Sequence, residues 1–271
     1  MKVILLAAVL AYAGMAAFMW LTQDSQLFFP QPARGTAAPP PGWSLEKVVV
    51  DAADGTRLAG VLVKPPVDAA AARPMAVVIH FGGNAEEVTA YSGEVERQYG
   101  HRAVLLVNYR GYGDSGGKPG EKALVADAAA LHDWAAKRAD LDATRICAHG
   151  RSLGTGVAVQ LAAARPLKCV LLTSPFESLV AVGKTHFGWL PVDLLLRHRF
   201  DSLAHAPAMK IPALVVYGSE DTIIPAEHSE RLAAAWGGPV ERVRLDGFGH
   251  NDIDLNPRYA EAMVAFLDRH L

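Results

Sequence analysis

A serine set between two glycines, Gly150-Arg151-Ser152-Leu153-Gly154, joins the strand-like run Thr144-Arg145-Ile146-Cys147-Ala148 to a helix-forming run from Ser152 to Ala164. Few folds let a chain leave a strand, reverse and enter a helix so abruptly. The spacing is that of a nucleophile elbow, in which a strained turn holds one hydroxyl exposed and small neighbours tolerate the crowding. Ser152 then stands at a helix N-terminus, where unpaired N–H groups and partial positive charge favour an anion. Val157, Val159 and Leu161 give that helix a face to bury. The chemistry implied is acyl transfer to serine.

A serine hydroxyl is a weak nucleophile until a base takes its proton. His250 suits that role, because Asp246-Gly247-Phe248-Gly249-His250 is a flexible loop directly after the last strand-like run, 240–245. The base needs an acid to fix its tautomer, and Asp221 follows the strand-like run 211–217. Glu177 and Glu220 are the rival acids, Glu220 reading as solvent-facing. The order serine, acid, histidine is that of α/β-hydrolases and differs from the chymotrypsin and subtilisin orders. Of the other histidines, His132, His228 and His270 read as solvated helix residues, His101 begins a strand and His149 ends the elbow strand. His186, His198 and His205 read as surface residues, with a pocket lining as the alternative. None has a metal-ligand spacing, and the chemistry requires no cofactor.

The developing oxyanion needs N–H donors aimed at it. One is the backbone of Leu153. The second is expected from the glycine-rich loop after the strand 75–81, at Asn84 or, failing that, Gly83. A different glycine pattern, Gly111-Tyr112-Gly113-Asp114-Ser115-Gly116, matches a dinucleotide fingerprint, but Gly117, Lys118, Pro119 and Gly120 separate it from any helix and its strand is not the first of the domain. A nucleotide site is therefore not inferred.

Strand-like runs at 46–51 and 56–63 read as an antiparallel hairpin. Further strands near 75–81, 102–108, 144–149, 169–174, 211–217 and 240–245 alternate with helices near 85–98, 121–138, 152–164, 227–236 and 257–270. Such alternation implies an α/β class, a mostly parallel sheet with helices on both faces and its site at the carboxyl ends of the strands. A chain of 271 residues, 51% apolar, can bury one such core. A net charge of −2 offers nucleic acid no electrostatic attraction. Cys147 and Cys169 fall in core strands and read as buried free thiols, with a disulfide as the unusual alternative.

Ahead of this domain, Val3 to Leu21 is uncharged and apolar, long enough to cross a bilayer. Lys2 precedes it and Asp24 follows it, so the positive-inside tendency puts the rest outside the cytoplasm. The reading is a retained signal anchor over 1–22, a proline-rich linker over 23–44 and a hydrolase domain over 45–271, held on the periplasmic side of the membrane. Cleavage after Ala11-Tyr12-Ala13, releasing a soluble enzyme, is the rival reading, and a buried hydrophobic helix is another.

Residues 25–271 resemble the α/β-hydrolase superfamily, and in particular its membrane-anchored serine hydrolases related to protein depalmitoylases. The resemblance rests on Gln26-Leu27-Phe28-Phe29-Pro30, Phe81-Gly82-Gly83-Asn84-Ala85, the run from Asn108 to Gly117, Gly150-Arg151-Ser152-Leu153-Gly154, Gly218-Ser219-Glu220-Asp221 and Gly249-His250, in that order. It implies a triad of Ser152, Asp221 and His250 with Leu153 and Asn84 as oxyanion donors. Gly82 departs from the pattern, since relatives often carry histidine there. The lipidated cysteine cluster of depalmitoylases is absent, so their substrate is not transferred.

Residues 176–210 form the longest insertion, with Leu179, Phe187, Trp189, Leu190 and Leu194 among its apolar members. They read either as a lid over the serine suited to an acyl chain or as two helices packed on the sheet. Arg197-His198-Arg199 reads as a solvated run, with lipid headgroups or an acidic substrate as the alternative partner. The expectation is a serine hydrolase for an ester, thioester or amide, its partners a small or acyl-chain substrate and the membrane. An acyltransferase on the same triad and a non-catalytic membrane-anchored binding protein are the alternatives. Oligomeric state is not legible.

Overall fold

Runs as apolar as 76–79 within Met75–Phe81 and 213–216 within Ala213–Gly218 have no polar side to show to water, so strands made from them must be covered on both faces. The computed structural model, which describes residues 1–66 and 74–271, covers them in that way. Its strands are β1 (Ser44–Asp51), β2 (Arg57–Lys64), β3 (Met75–Phe81), β4 (Ala103–Val107), β5 (Leu141–Arg151), β6 (Cys169–Thr173), β7 (Ala213–Gly218) and β8 (Val240–Leu245). They form one sheet in the order β1-β2-β4-β3-β5-β6-β7-β8. The hairpin β1/β2 and the pair β2/β4 are antiparallel, and all remaining pairs are parallel. This is the α/β-hydrolase fold.

Alternate residues of one strand feed two cores. Val77, Ile79 and Phe81 join a cluster with Leu131 of α3 (Glu121–Ala136), Val157 of α4 (Leu153–Ala164) and Leu232 of α7 (Ala226–Ala235). Val78 points the other way, into a cluster with Tyr99 of α2 (Val95–Tyr99) and Phe266 of α8 (Pro257–His270). The Cys147 and Cys169 thiols lie opposite one another on β5 and β6, both free and both buried.

The helix expected over 85–98 is instead a 3-10 turn at Val88–Gly93 followed by the short α2. Side chains compete there for the N–H groups: Val88 N–H donates to Asn108 Oδ1 at 2.9 Å, and Thr89 N–H to Glu87 Oε1 at 3.3 Å. The proline-rich stretch packs against this turn, with Ser92 Oγ donating to Ala37 O at 2.6 Å.

At the N-terminus, α1 (Lys2–Leu27) is long and apolar enough to cross a membrane, a test that signal sequences also pass. Its last turns dock on the 176–210 insertion, which folds as α5 (Leu179–His186) and α6 (Val192–Leu195) joined by a turn. Gln23 donates to Leu195 O at 3.1 Å and accepts from Arg197 N–H at 2.7 Å. Arg197 and His198 both reach Asp24 at 2.9 Å, and Arg199 donates to Asp193 O. The basic run thus finds partners within the chain while Arg197 and Arg199 stay exposed, in keeping with its reading as solvated.

Candidate active site

Ser152 follows the last residue of β5 and caps α4 with φ 52° and ψ −119°, a conformation that costs a non-glycine residue about 1–3 kcal/mol. The flanking glycines are required by close approach. A Cβ on Gly150 would sit 2.3 Å from Gly154 O, and one on Gly154 would sit 2.0 Å from Phe81 O. The elbow is therefore pressed against both its own helix and the end of β3.

Loops after β7 and β8 bring the other two groups to the serine. Gly218 lets them meet, since a Cβ there would lie 2.2 Å from Phe248 O. Two ties hold the loops together: Glu220 N–H donates to Phe248 O at 2.9 Å, and Gly247 N–H to Ser219 Oγ at 2.9 Å. His250 Nε2 then lies 2.9 Å from Ser152 Oγ, and His250 Nδ1 lies 2.7 Å from Asp221 Oδ2. Asp221 Oδ1 accepts from Ile223 N–H at 2.9 Å and Ile224 N–H at 2.7 Å, so both carboxylate oxygens are engaged. Burial pushes the Asp221 carboxyl up, but the His250 hydrogen bond and charge and these two N–H groups outweigh it and hold it below the usual carboxylate range. All three side chains are buried, so the hydrogen bonds are shielded from water.

The rival acids go elsewhere. Glu220 is exposed, as expected. Glu177 is buried and belongs to His228, whose Nδ1 lies 2.7 Å from Glu177 Oε2, with Arg231 donating to Glu177 Oε1 at 2.6 Å. His228 and His132, expected in solvent, are both buried; His132 Nε2 instead meets Pro166 O at 3.1 Å. Amphipathic periodicity marks a helical face, and a histidine near the edge of that face falls inside or outside according to what packs on it.

Around the elbow, the two backbone donors named by the sequence have different company. Leu153 N–H and Asn84 N–H make no hydrogen bond among the described residues. Gly83 N–H is already committed to Glu86 Oε2 at 2.9 Å, which removes it as the alternative donor. Two tyrosines brace the loop: Tyr109 OH donates to Gly82 O at 2.9 Å and Tyr112 OH to Asn84 O at 2.7 Å. Both come from the stretch around the false dinucleotide pattern, where Gly111 and Gly113 take positive φ. Arg151 links loop and base, pairing with Glu86 and donating to His250 O at 2.9 Å. Sequence reading assigned no role to Tyr109, Tyr112, Glu86 or Arg151; the local signal was that the first two and Arg151 lie within quoted motifs and Glu86 just after one.

Beneath the elbow lies a buried polar cluster that touches none of the reacting groups. Tyr99 OH reaches His149 Nδ1 at 2.7 Å and His80 Nδ1 at 3.1 Å, while His149 Nε2 meets Thr173 Oγ1 at 3.0 Å. Desolvation lowers the His80 pKa to about 4 and drives that of His149 well below its usual value, so both rings are neutral. No grouping of His, Cys, Asp and Glu suited to a metal ion occurs among the described residues.

The family model for X-Pro dipeptidyl-peptidase (S15 family) matches residues 54–194, and that for serine hydrolase (FSH1) matches 143–250. An uncharacterized protein of Mycobacterium tuberculosis is 38% identical over 91% of this chain and 86% of its own length. Alpha/beta hydrolase domain-containing protein 17B of Homo sapiens is 34% identical over 62% of this chain and 57% of its own. Among solved structures, an acetyl xylan esterase from Paenibacillus sp. R4 superposes with a TM-score of 0.73 at 22% identity, covering 93% of this chain and 92% of that one. At that identity the likeness speaks to fold.

Proposed function

The chain belongs to the α/β-hydrolase superfamily of serine hydrolases, and from that premise we propose that it is a membrane-anchored hydrolase cleaving a carboxylic ester, thioester or amide through an acyl-serine intermediate. One observation carries the reading: Ser152 Oγ, on a positive-φ elbow, lies 2.9 Å from the imidazole that Asp221 holds at 2.7 Å. His250 Nε2 takes the hydroxyl proton as Ser152 Oγ attacks the acyl carbon. Asp221, facing Nδ1, keeps the accepting nitrogen toward the serine and stabilises the imidazolium.

Charge that builds on the carbonyl oxygen is met by the N–H groups of Leu153 and Asn84, which carry no other hydrogen bond among the described residues. His250 then passes its proton to the leaving alkoxide, thiolate or amine, which departs as the acyl-serine forms. Water, deprotonated by the same nitrogen, attacks the acyl-serine and regenerates Ser152. The S15-family match covers residues 54–194 and ends before Asp221 and His250, and X-Pro peptide specificity is not carried over from it. The length and apolar character of α1, with Lys2 before its apolar run, support a retained signal anchor that leaves the domain outside the cytoplasm.

The test is hydrolysis of a graded series of p-nitrophenyl acyl esters, with labelling of the serine by a fluorophosphonate. Wild type should turn over and label, whereas Ser152→Ala should do neither while keeping its fold. Equal rates in the two proteins would overturn the mechanism. Alkaline carbonate should leave the full-length chain in the membrane pellet, and recovery of a shortened soluble form would overturn the anchor.

A further inference from the structure

If α1 crosses a bilayer, whatever packs against its apolar stretch shares that bilayer. The contacts of α1 fall at two levels. At its C-terminal end, Gln23 and Asp24 form a polar collar with Leu195, Arg197 and His198. Much further back, Tyr12 OH donates to Trp189 O at 3.0 Å, and the two rings meet edge-on at 6.2 Å. Tyr12 lies about 13 Å of helix rise inside the apolar stretch, measured from Leu21. The turn 187–190 therefore runs from the collar along the anchor toward the bilayer interior.

Its composition suits that depth. Phe187 and Trp189, partly covered by His186 and Tyr12, still leave 42% and 55% of their surface exposed. A backbone hydrogen bond closes the turn, Leu190 N–H to Phe187 O at 2.8 Å, and Phe187 N–H ties it back to Gly183 O at 2.7 Å. The nearby charges lie outside the turn and are paired, Lys184 with Asp193. Ala16 and Met19 of the anchor pack against Val180, Leu190 and Val192, and beside them lies a cavity of about 240 Å³ walled by Met19, Trp20, Leu27, Val182, Leu190 and Leu195. That cavity reaches the site region: Leu27 O accepts from Asn84 Nδ2 at 3.1 Å, so its inner end abuts the loop proposed to bind the oxyanion.

Resting on the anchor reading above, we propose that the turn 187–190 is immersed in the same leaflet as the outer half of α1, so that the apolar cavity between them opens onto the bilayer and receives the acyl chain of a membrane-resident lipid. The occupant is a hydrocarbon chain because the walls are mainly apolar, Gln23, Gln26 and His186 being their polar members and none a carboxylate, lysine or arginine, and continuity with the anchor supplies the route.

The full-length protein, reconstituted in phosphatidylcholine vesicles, tests this with an environment-sensitive nitrobenzoxadiazole label at Leu6→Cys, Trp189→Cys or Glu261→Cys in separate samples. Cys147 and Cys169 are buried and leave the label to the new thiol. Positions 6 and 189 should give blue-shifted emission, quenched by doxyl-labelled lipid and shielded from iodide, with position 261 open to iodide. Iodide access at 189 with lipid contact at 6 overturns the proposal and leaves the anchor standing; iodide access at 6 overturns both. A phosphatidylcholine carrying a diazirine on its acyl chain should label, in Ser152→Ala protein, both the tryptic peptide 185–197 and the peptide 169–184 that holds the inner wall. Label on 185–197 alone would show that the cavity is closed to the bilayer and overturn the proposal. Fluorophosphonate labelling of the cysteine variants that keep Ser152 reports their fold.

Discussion

Among the described residues stand two hydroxyl–imidazole–carboxylate chains that by distance are nearly the same. In one, Ser152 Oγ, His250 and Asp221 are linked at 2.9 and 2.7 Å; in the other, Thr185 Oγ1, His228 and Glu177 are linked at 3.1 and 2.7 Å. What surrounds them differs. Thr185 stands in the last turns of α5, donates to Ala181 O and has neither a positive φ nor a helix N-terminus behind it. Arg231 neutralises Glu177, whereas Asp221 is met only by the imidazole and two backbone N–H groups. Three linked side chains hold a fold together as readily as they move a proton. The strained elbow and the unpaired N–H donors beside it distinguish the chain suited to catalysis.

Substituting the two hydroxyls should break that resemblance most sharply. Ser152→Ala is expected to lower kcat by on the order of 10⁴ or more, while Thr185→Ala leaves it within about twofold, both read from p-nitrophenyl ester turnover. Comparable losses in the two variants would make the second chain part of the chemistry.

The carboxylates should diverge in the opposite sense. Asp221→Asn should cost about 10⁴ in kcat with the wrong imidazole tautomer as the cause. Glu177→Ala should instead cost stability, about 3 kcal/mol in urea unfolding, because His228 and Arg231 lose a buried partner. Turnover per folded molecule in Glu177→Ala should stay at the wild-type level.

The pair His80 and His149 sharpens the contrast through pH. Burial holds His80 near pKa 4 against an ordinary 6.5, so between those values the unfolded chain binds the extra proton. The native state is then fully favoured above pH 6.5 and loses stability as pH falls toward 4, by up to about 3 kcal/mol. His80→Gln should flatten that slope in urea midpoints measured from pH 7 to pH 4.5. An unchanged slope would mean that His80 charges without cost.

The smallest effect is expected at the bridge between loop and base. Arg151→Met should lower kcat about tenfold with little change in KM, as Glu86 and the His250 carbonyl lose their common partner. Arg151→Lys should recover part of the loss, since it restores the charge without the two-sided geometry. A matching loss of stability with kcat unaffected would make Arg151 a structural residue alone.

The sequence by itself determined the elbow, the alternation of strands and helices and the serine, acid, histidine order. Each is written largely by neighbours in the chain: Gly150 is needed because Gly154 O, four residues on, crowds it, whereas the crowding of Gly154 by Phe81 O belongs to the folded sheet. Only the tertiary structure decided that Glu177 belongs to His228, leaving Asp221 as the acid of His250, that Gly83 is occupied by Glu86, and that Tyr112 braces Asn84. It also decided that 88–93 is a 3-10 turn ahead of the short α2 and that Arg197 answers Asp24 on α1. Apart from Gly83 with Glu86, three residues along, those pairings join residues tens of positions apart, and those between loops of the sheet follow from which strands lie side by side in β1-β2-β4-β3-β5-β6-β7-β8. Local patterning fixes what each segment becomes, whereas sheet order fixes which loops meet, and partners across loops cannot be read until that order is known.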